Sequence, residues 1–203
     1  DLQDQVPLPP PFDKLDDEPP LAPLSDKAKE KYVVLDDTVA LSMPNPETPE
    51  EEEKLVNLFL SGMRKAFNPD DNWPFLQPLV MSVEHCAKCQ TCSEACHIYE
   101  ASGENPVYRP AYRSEVLRRL YKRYVKHNGG LLAAWRGGDV ELNWRTVARL
   151  GEMAYRCNVC RRCAQTCPIG ADNALIAREI RKIFSQELGI ATPELHDNGS
   201  MLQ

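Results

Sequence analysis

A chain of 203 residues with 42% hydrophobic side chains, 7% aromatic ones and a mean hydropathy of −0.47 has room for one domain with extensions, or two small ones, around a modest core. The net charge of −6 is uneven, −11 over residues 1–53 and +5 over residues 54–203. No stretch approaches the ~18 apolar residues of a membrane span, no charged-then-apolar leader resembles a signal peptide, and an acidic chain without a reader motif argues against nucleic acid as a partner.

Residues 1–53 read as an acidic, proline-rich arm. Ten of the 17 prolines lie here, including Pro9-Pro10-Pro11 and Pro19-Pro20. Proline fixes φ and removes a donor, so extended, polyproline-like backbone is expected. Composition alone favours a solvated tail; the competing expectation is a strap laid across a partner subunit or another copy. Residues 54–80 read as a helix and a connector. Thr48-Pro49-Glu50-Glu51 is a capping box with proline at the first helical position. Leu55, Leu58, Phe59 and Met63 follow as an apolar stripe, and the helix is expected to end near Phe67, before a turn at Asn68-Pro69-Asp70-Asp71. Residues 72–85 then form a connector with Trp73, Phe75 and Leu76 among Pro74 and Pro78. These bulky groups either shield the site that starts at Cys86 or belong to an ordinary core.

A first cysteine string follows, Cys86-Ala-Lys-Cys89-Gln-Thr-Cys92-Ser-Glu-Ala-Cys96. Pro106 and Pro110 mark the break after it. A long helix is expected from Ala111 to His127, stopped by Gly129-Gly130. Val116, Leu117, Leu120, Tyr121, Tyr124 and Val125 form its apolar face; Arg118, Arg119, Lys122, Arg123 and Lys126 form the opposite one. Such a basic face either docks on an acidic partner or an anionic membrane surface, or is simply solvated. The short run Leu131–Trp135 precedes Gly137-Gly138, and a further helix is predicted from Trp144 to Tyr155. The second string, Cys157-Asn-Val-Cys160-Arg-Arg-Cys163-Ala-Gln-Thr-Cys167-Pro168, repeats the first 71 residues on. A last helix is expected over Ala171–Leu188, ended by Gly189, and residues 192–203 read as a polar tail. No strand pattern separates the strings, so the chain reads as mainly α.

Both strings read C-x2-C-x2-C-x3-C and use all eight cysteines. That spacing, twice, is the ligand pattern of two [4Fe–4S] clusters. Disulfides or structural zinc are the competing readings, but neither needs two copies of one tight spacing. Three cysteines at i, i+3 and i+6 reach three corners of a cube, and the fourth ligand must come from elsewhere. In two-cluster proteins the last cysteine of each string serves the other cluster. One cluster is therefore assigned to Cys86, Cys89, Cys92 and Cys167, the other to Cys157, Cys160, Cys163 and Cys96. Small residues between the ligands let backbone N–H groups approach the cluster. Lys88, Arg156, Arg161 and Arg162 either favour the reduced, more negative state or face water.

The dicluster region, residues 81–191, resembles the α-helical ferredoxin domain of the heterodisulfide reductase C-like family of iron–sulfur proteins and their relatives. These include the iron–sulfur subunits of the anaerobic glycerol-3-phosphate and glycolate oxidases and heterodisulfide-reductase-like subunits of sulfate-reducer membrane complexes. The resemblance implies the same crossed ligation. Two features depart from it. His97, which reads as a turn residue or as a hydrogen-bonding partner of the cluster, replaces the proline common after the fourth cysteine, and the cysteine-rich CCG module of many relatives is not found in this sequence, so catalysis carried by that module is not transferred.

The expected function is electron transfer between subunits of an anaerobic oxidoreductase complex, whose donor could bear a flavin. No nucleotide-binding glycine loop, catalytic triad or carboxylate pair is evident, so the chain is expected to have no substrate of its own. A reducing cytoplasm is the expected compartment, with attachment to the inner membrane only through a membrane partner. The alternatives are a structural protein whose metal centres only hold it together, and an enzyme whose active site a partner completes.

Overall fold

The computed structural model describes residues 43–126, 140 and 142–191. The arm up to residue 42, the predicted stop at Gly129-Gly130, the Leu131–Trp135 run and the polar tail lie outside them. Among the described residues every regular element is helical, as the sequence predicts.

Helix α1 is Pro49–Ala66. Thr48 Oγ1 accepts the Glu51 N–H at 3.3 Å, proline opens the first turn, and Glu50–Glu52 face the positive end of the helix dipole. The return arm of the capping box lands one residue early: Glu51 Oε2 accepts from Glu47 N at 3.0 Å, not from Thr48.

The predicted turn at 68–71 and connector over 72–85 are instead one helix, α2, Pro69–Glu84. The residues that suggested a turn start a helix just as well. Asn68 Oδ1 accepts from Asp70 N at 3.2 Å, Pro69 needs no partner at the first position, and Asp70 and Asp71 fill the first turn. The helix is broken at Asn72 (φ −138°, ψ 34°). There the buried amide donates to Ala66 O at 2.9 Å and to Glu179 Oε2 at 3.1 Å. Pro74 falls in the first turn after the break, where its missing N–H is not needed. Pro78 lies deeper, but on the exposed side. Trp73 is 77% exposed, and Phe75 lies under the Arg178 guanidinium at 3.8 Å, so neither aromatic is the shield or core group expected of it.

Short helices α3 (Thr91–Glu94) and α4 (His97–Ala101) and a 3-10 turn at Pro106–Tyr108 lead to α5, Pro110–Leu120. A π-helical turn, Tyr121–Lys126, extends it and shifts the register of its faces. Four of the five residues of the predicted basic face are bound within the molecule. Arg118 and Arg119 hold buried Glu115, Lys126 pairs with Glu84, and Arg123 donates to Val140 O at 3.3 Å. Helix α6 (Trp144–Tyr155) matches its predicted limits, capped by Asn143, whose Oδ1 accepts from Thr146 N at 2.8 Å. After α7 (Arg162–Gln165), α8 runs Asn173–Glu187, and Gly189 at φ +66° follows its end.

Helix α8 is the centre, packed on α1, α2, α5 and α6. Its Ile176, Ile180 and Phe184 meet Phe59, Leu79, Leu117 and Leu150 in one buried cluster, with Phe59 and Phe184 edge to face at 5.9 Å. Two glycines allow this approach. A Cβ on Gly62 would sit 2.6 Å from Ile183 Cγ2, and one on Gly151 2.5 Å from Phe184 Cζ. Gly151→Ala should therefore lower stability by about 1–3 kcal/mol through overpacking, read as a lower midpoint in denaturant unfolding. An unchanged midpoint would mean that α6 and α8 pack more loosely.

Candidate metal centre

The two cysteine strings fold alike. Each bends through residues with left-handed backbone and ends in a one-turn helix, α3 or α7. In the first, Lys88 and Gln90 have φ of 56° and 66°; in the second, Val159 and Arg161, at the matching positions, have 54° and 62°. None is glycine, and a left-handed valine is a genuine outlier. Such residues cost about 1–3 kcal/mol each and persist only where the surroundings hold them.

The surroundings do so residue by residue. Lys88 Nζ donates to Glu115 Oε1 on α5 at 2.8 Å. Gln90 Oε1 accepts from Arg109, whose guanidinium also reaches the Tyr99 hydroxyl at 3.2 Å. Arg161 Nε donates to Asp172 Oδ2 at 2.9 Å. Val159 packs on a small buried group formed by Cys92, Ala111, Cys163 and Ala174. Asp172 is a shared anchor: its Oδ1 caps α8 by accepting from Ala174 N and Leu175 N, and its own N–H reaches Ser82 of α2 at 2.9 Å. Arg181 of α8 donates to the carbonyls of Ala154 and Tyr155 and to that of Cys157, fixing where the second string begins.

Helices α3 and α7 pack together and bring Cys92 and Cys163, both 7% exposed, to the middle of the site. Cys89 and Cys160 lie on the outside. Cys96, from the first string, lines one cavity with Cys157, Cys160 and Cys163 of the second; its volume is about 340 Å³ counting the open mouth. His97 and Arg113 line the same cavity. His97, expected in a turn, opens α4, and its Nε2 accepts from the Asn158 amide at 2.7 Å, joining the strings. On the other side Cys86 senses Cys167 and Cys89. Burial chiefly, then those two thiols and Glu115, push it up, against a backbone N–H at Lys88 that lowers it.

All eight cysteines are free thiols. Burial drives Cys92 up to about 12 and Cys163 to about 11, so each needs a compensating positive centre to hold a thiolate there. Among the described residues no three Cys, His, Asp or Glu side chains converge on a single-ion position. Zinc would draw four thiolates to Zn–S ≈ 2.3 Å, whereas a four-iron cube spreads its ligands over four corners. An orphaned donor pair points the same way. Arg113 is 1% exposed, yet its Nε and Nη1 have no hydrogen-bond partner. A buried cation beside four thiols suits an anionic thiolate cluster. The residues present therefore fit [4Fe–4S] groups. The cations named from the sequence are less available than expected: Lys88, Arg156 and Arg161 pair with Glu115, Glu152 and Asp172. Sequence reasoning missed Arg113, which sits on α5 between Tyr112 and Ser114 with no motif around it.

Thiolate, not thiol, is the nucleophile. The Thr91 hydroxyl and backbone lower exposed Cys89. In metal-free, reduced protein at neutral pH, iodoacetamide should modify Cys89 first, and Cys92 and Cys163 last, as read by peptide mass spectrometry. Early labelling of Cys163 would contradict this arrangement.

Residues 82–171 match the 4Fe-4S dicluster domain family. Over 134 residues the chain is 31% identical to the Hdr-like menaquinol oxidoreductase iron-sulfur subunit 2 of Archaeoglobus fulgidus, a match covering 66% of this chain and 23% of that protein. It is 31% identical over 101 residues to the Hdr-like menaquinol oxidoreductase iron-sulfur subunit of Archaeoglobus profundus, covering 50% of this chain and 18% of that one. It is 26% identical over 102 residues to one subunit of the dihydromethanophenazine:CoB--CoM heterodisulfide reductase of Methanosarcina acetivorans, covering 50% and 24%. The chain thus spans less than a quarter of the length of these relatives. No solved structure matches it. Residues 82–171 form a 4Fe-4S dicluster domain whose eight cysteines suit two [4Fe–4S] clusters, and the chain is homologous to heterodisulfide-reductase-like iron–sulfur subunits.

Proposed function

We propose that this chain is an electron-transfer subunit of an anaerobic oxidoreductase complex, relaying single electrons through two [4Fe–4S] clusters between partner subunits. Cys86, Cys89, Cys92 and Cys167 hold one cluster; Cys157, Cys160, Cys163 and Cys96 hold the other. The observation that carries this reading is the cavity lined jointly by Cys96 and the second string. When bound, such clusters supply one-electron redox chemistry whose potential depends on exposure, charge and hydrogen bonds to sulfur. The chain's own residues arrange the path. Buried Cys92 and Cys163 meet where α3 and α7 pack, keeping water from the middle, while exposed Cys89 and Cys160 mark the outer edges where partners reach.

The relatives' names, a menaquinol oxidoreductase and a heterodisulfide reductase, suggest a complex that links quinol or thiol chemistry to such carriers. Donor and acceptor would then be other subunits, with the donor proposed to bear a flavin. No described helix is long and apolar enough to cross a membrane. Placement in the cytoplasm, peripheral to the inner membrane through a membrane partner, is part of this proposal. So is the division into an arm (1–53), a helical segment (54–80), a dicluster unit (81–191) and a tail (192–203).

Paired cysteine substitutions test the crossed ligation. Cys96→Ser should remove one cluster and about half the iron. Adding Cys160→Ser should remove no more, since both serve one cluster, whereas adding Cys89→Ser should remove the rest. The reverse pattern, by iron and sulfide assay of anaerobic protein, would assign Cys96 to its own string.

A further inference from the structure

We infer that Arg113 makes the two metal sites unequal: its buried guanidinium faces the site of Cys96, Cys157, Cys160 and Cys163 and raises the reduction potential there above that of the other site. This rests on the two-cluster reading given above.

Helix α5 contributes to both sites, with Arg113 in the cavity of the second string and Glu115 anchoring Lys88 of the first. Arg113 lines the cavity of the second string, fully buried, with Nε and Nη1 unpartnered. Among the described residues no carboxylate pairs with it. Two positions on, Glu115 is equally buried but lies toward the first string, held by Lys88, Arg118 and Arg119. Unlike Arg113, the other basic side chains near the ligands are paired or exposed: Arg118 and Arg119 are bound to Glu115. Lys88, Arg156 and Arg161 face carboxylates, and Arg162 is exposed, where water screens it. Arg181 lies on the side of Cys157 as well, occupied by carbonyls.

An unpaired buried cation is costly unless an anion shares its site. A thiolate-bound cluster is such an anion, and it becomes more negative on reduction. In a medium of low dielectric a fixed positive charge stabilises the reduced form more than the oxidised one. The free N–H groups can also donate to cluster sulfurs, a further lever in the same direction. An electron delivered by an external one-electron reductant should therefore reside first on the second-string site.

The test is a dithionite titration of the anaerobic full chain, followed by electron paramagnetic resonance, after iron and sulfide have been counted. Wild type should show two separate midpoints. Arg113→Met should lower the higher one, reducing the ratio of reduced to oxidised cluster at fixed potential by about tenfold, ~59 mV for one electron, and leave the lower one in place. Arg113→Lys should restore most of the shift. A higher midpoint that stays put, or two that move together, would overturn the inference. If Arg113→Met does not keep its iron, Arg113→Gln is titrated instead. Loss of iron from both neutral variants but not from Arg113→Lys supports the charge role, and loss from all three equally overturns it. Wild type without iron and sulfide would sink the two-cluster reading itself, which the titration outcomes leave standing.

Discussion

The thiols of the two cysteine strings come together because two strained turns are held side by side. Each turn bends left-handed at two non-glycine residues, and an isolated chain has no reason to keep either bend. The helical body supplies the reason. Glu115 on α5 fixes Lys88, Asp172 at the start of α8 fixes Arg161, and Arg109 fixes Gln90. Each tether starts from a side chain inside or next to a left-handed position and ends on a helix that is buried for other reasons. The fold and the metal site are thus stabilised by the same contacts.

This dual use explains why so many charged groups are inside a small helical domain. Glu115, Glu152 and Glu179 are all nearly inaccessible, and each meets at least one arginine. Such pairs contribute little net stability compared with apolar residues of the same size, but removing one partner is strongly destabilising. They fix register: Glu179 reaches the break in α2 through Asn72, and Glu152 spans neighbouring turns of α6 to Arg149 and Arg156. Arg113 departs from this rule, and it does so at the thiol-lined cavity.

Local signals in the sequence were reliable where they depended on neighbours along the chain. Thr48 caps its helix, α6 keeps its predicted limits, and Gly189 follows the end of α8. The cysteine spacing announced its chemistry because three ligands on one turn obey a local rule. What stayed hidden depends on distant residues. Asn68-Pro69-Asp70-Asp71 suits a turn or a helix start equally, and the choice is made by Asn72 meeting Glu179 across the core. The basic stripe after Arg118 looks solvated until Glu84 and Glu115 are placed beside it. Nothing along the chain shows that Gly62 and Gly151 lie against α8, or that Arg113 faces a cysteine cavity. His97 looked like a turn residue because its partner, Asn158, is 61 positions away.

Everything rests on the eight cysteines binding iron and sulfide as two redox-active cubes. The most direct measurement is the content of iron and acid-labile sulfide in the anaerobically purified full chain, together with its visible spectrum before and after dithionite. About eight of each per chain, with broad absorbance that bleaches on reduction and returns on reoxidation, is the predicted result. A colourless protein holding zinc, or one whose iron never changes oxidation level, would contradict it.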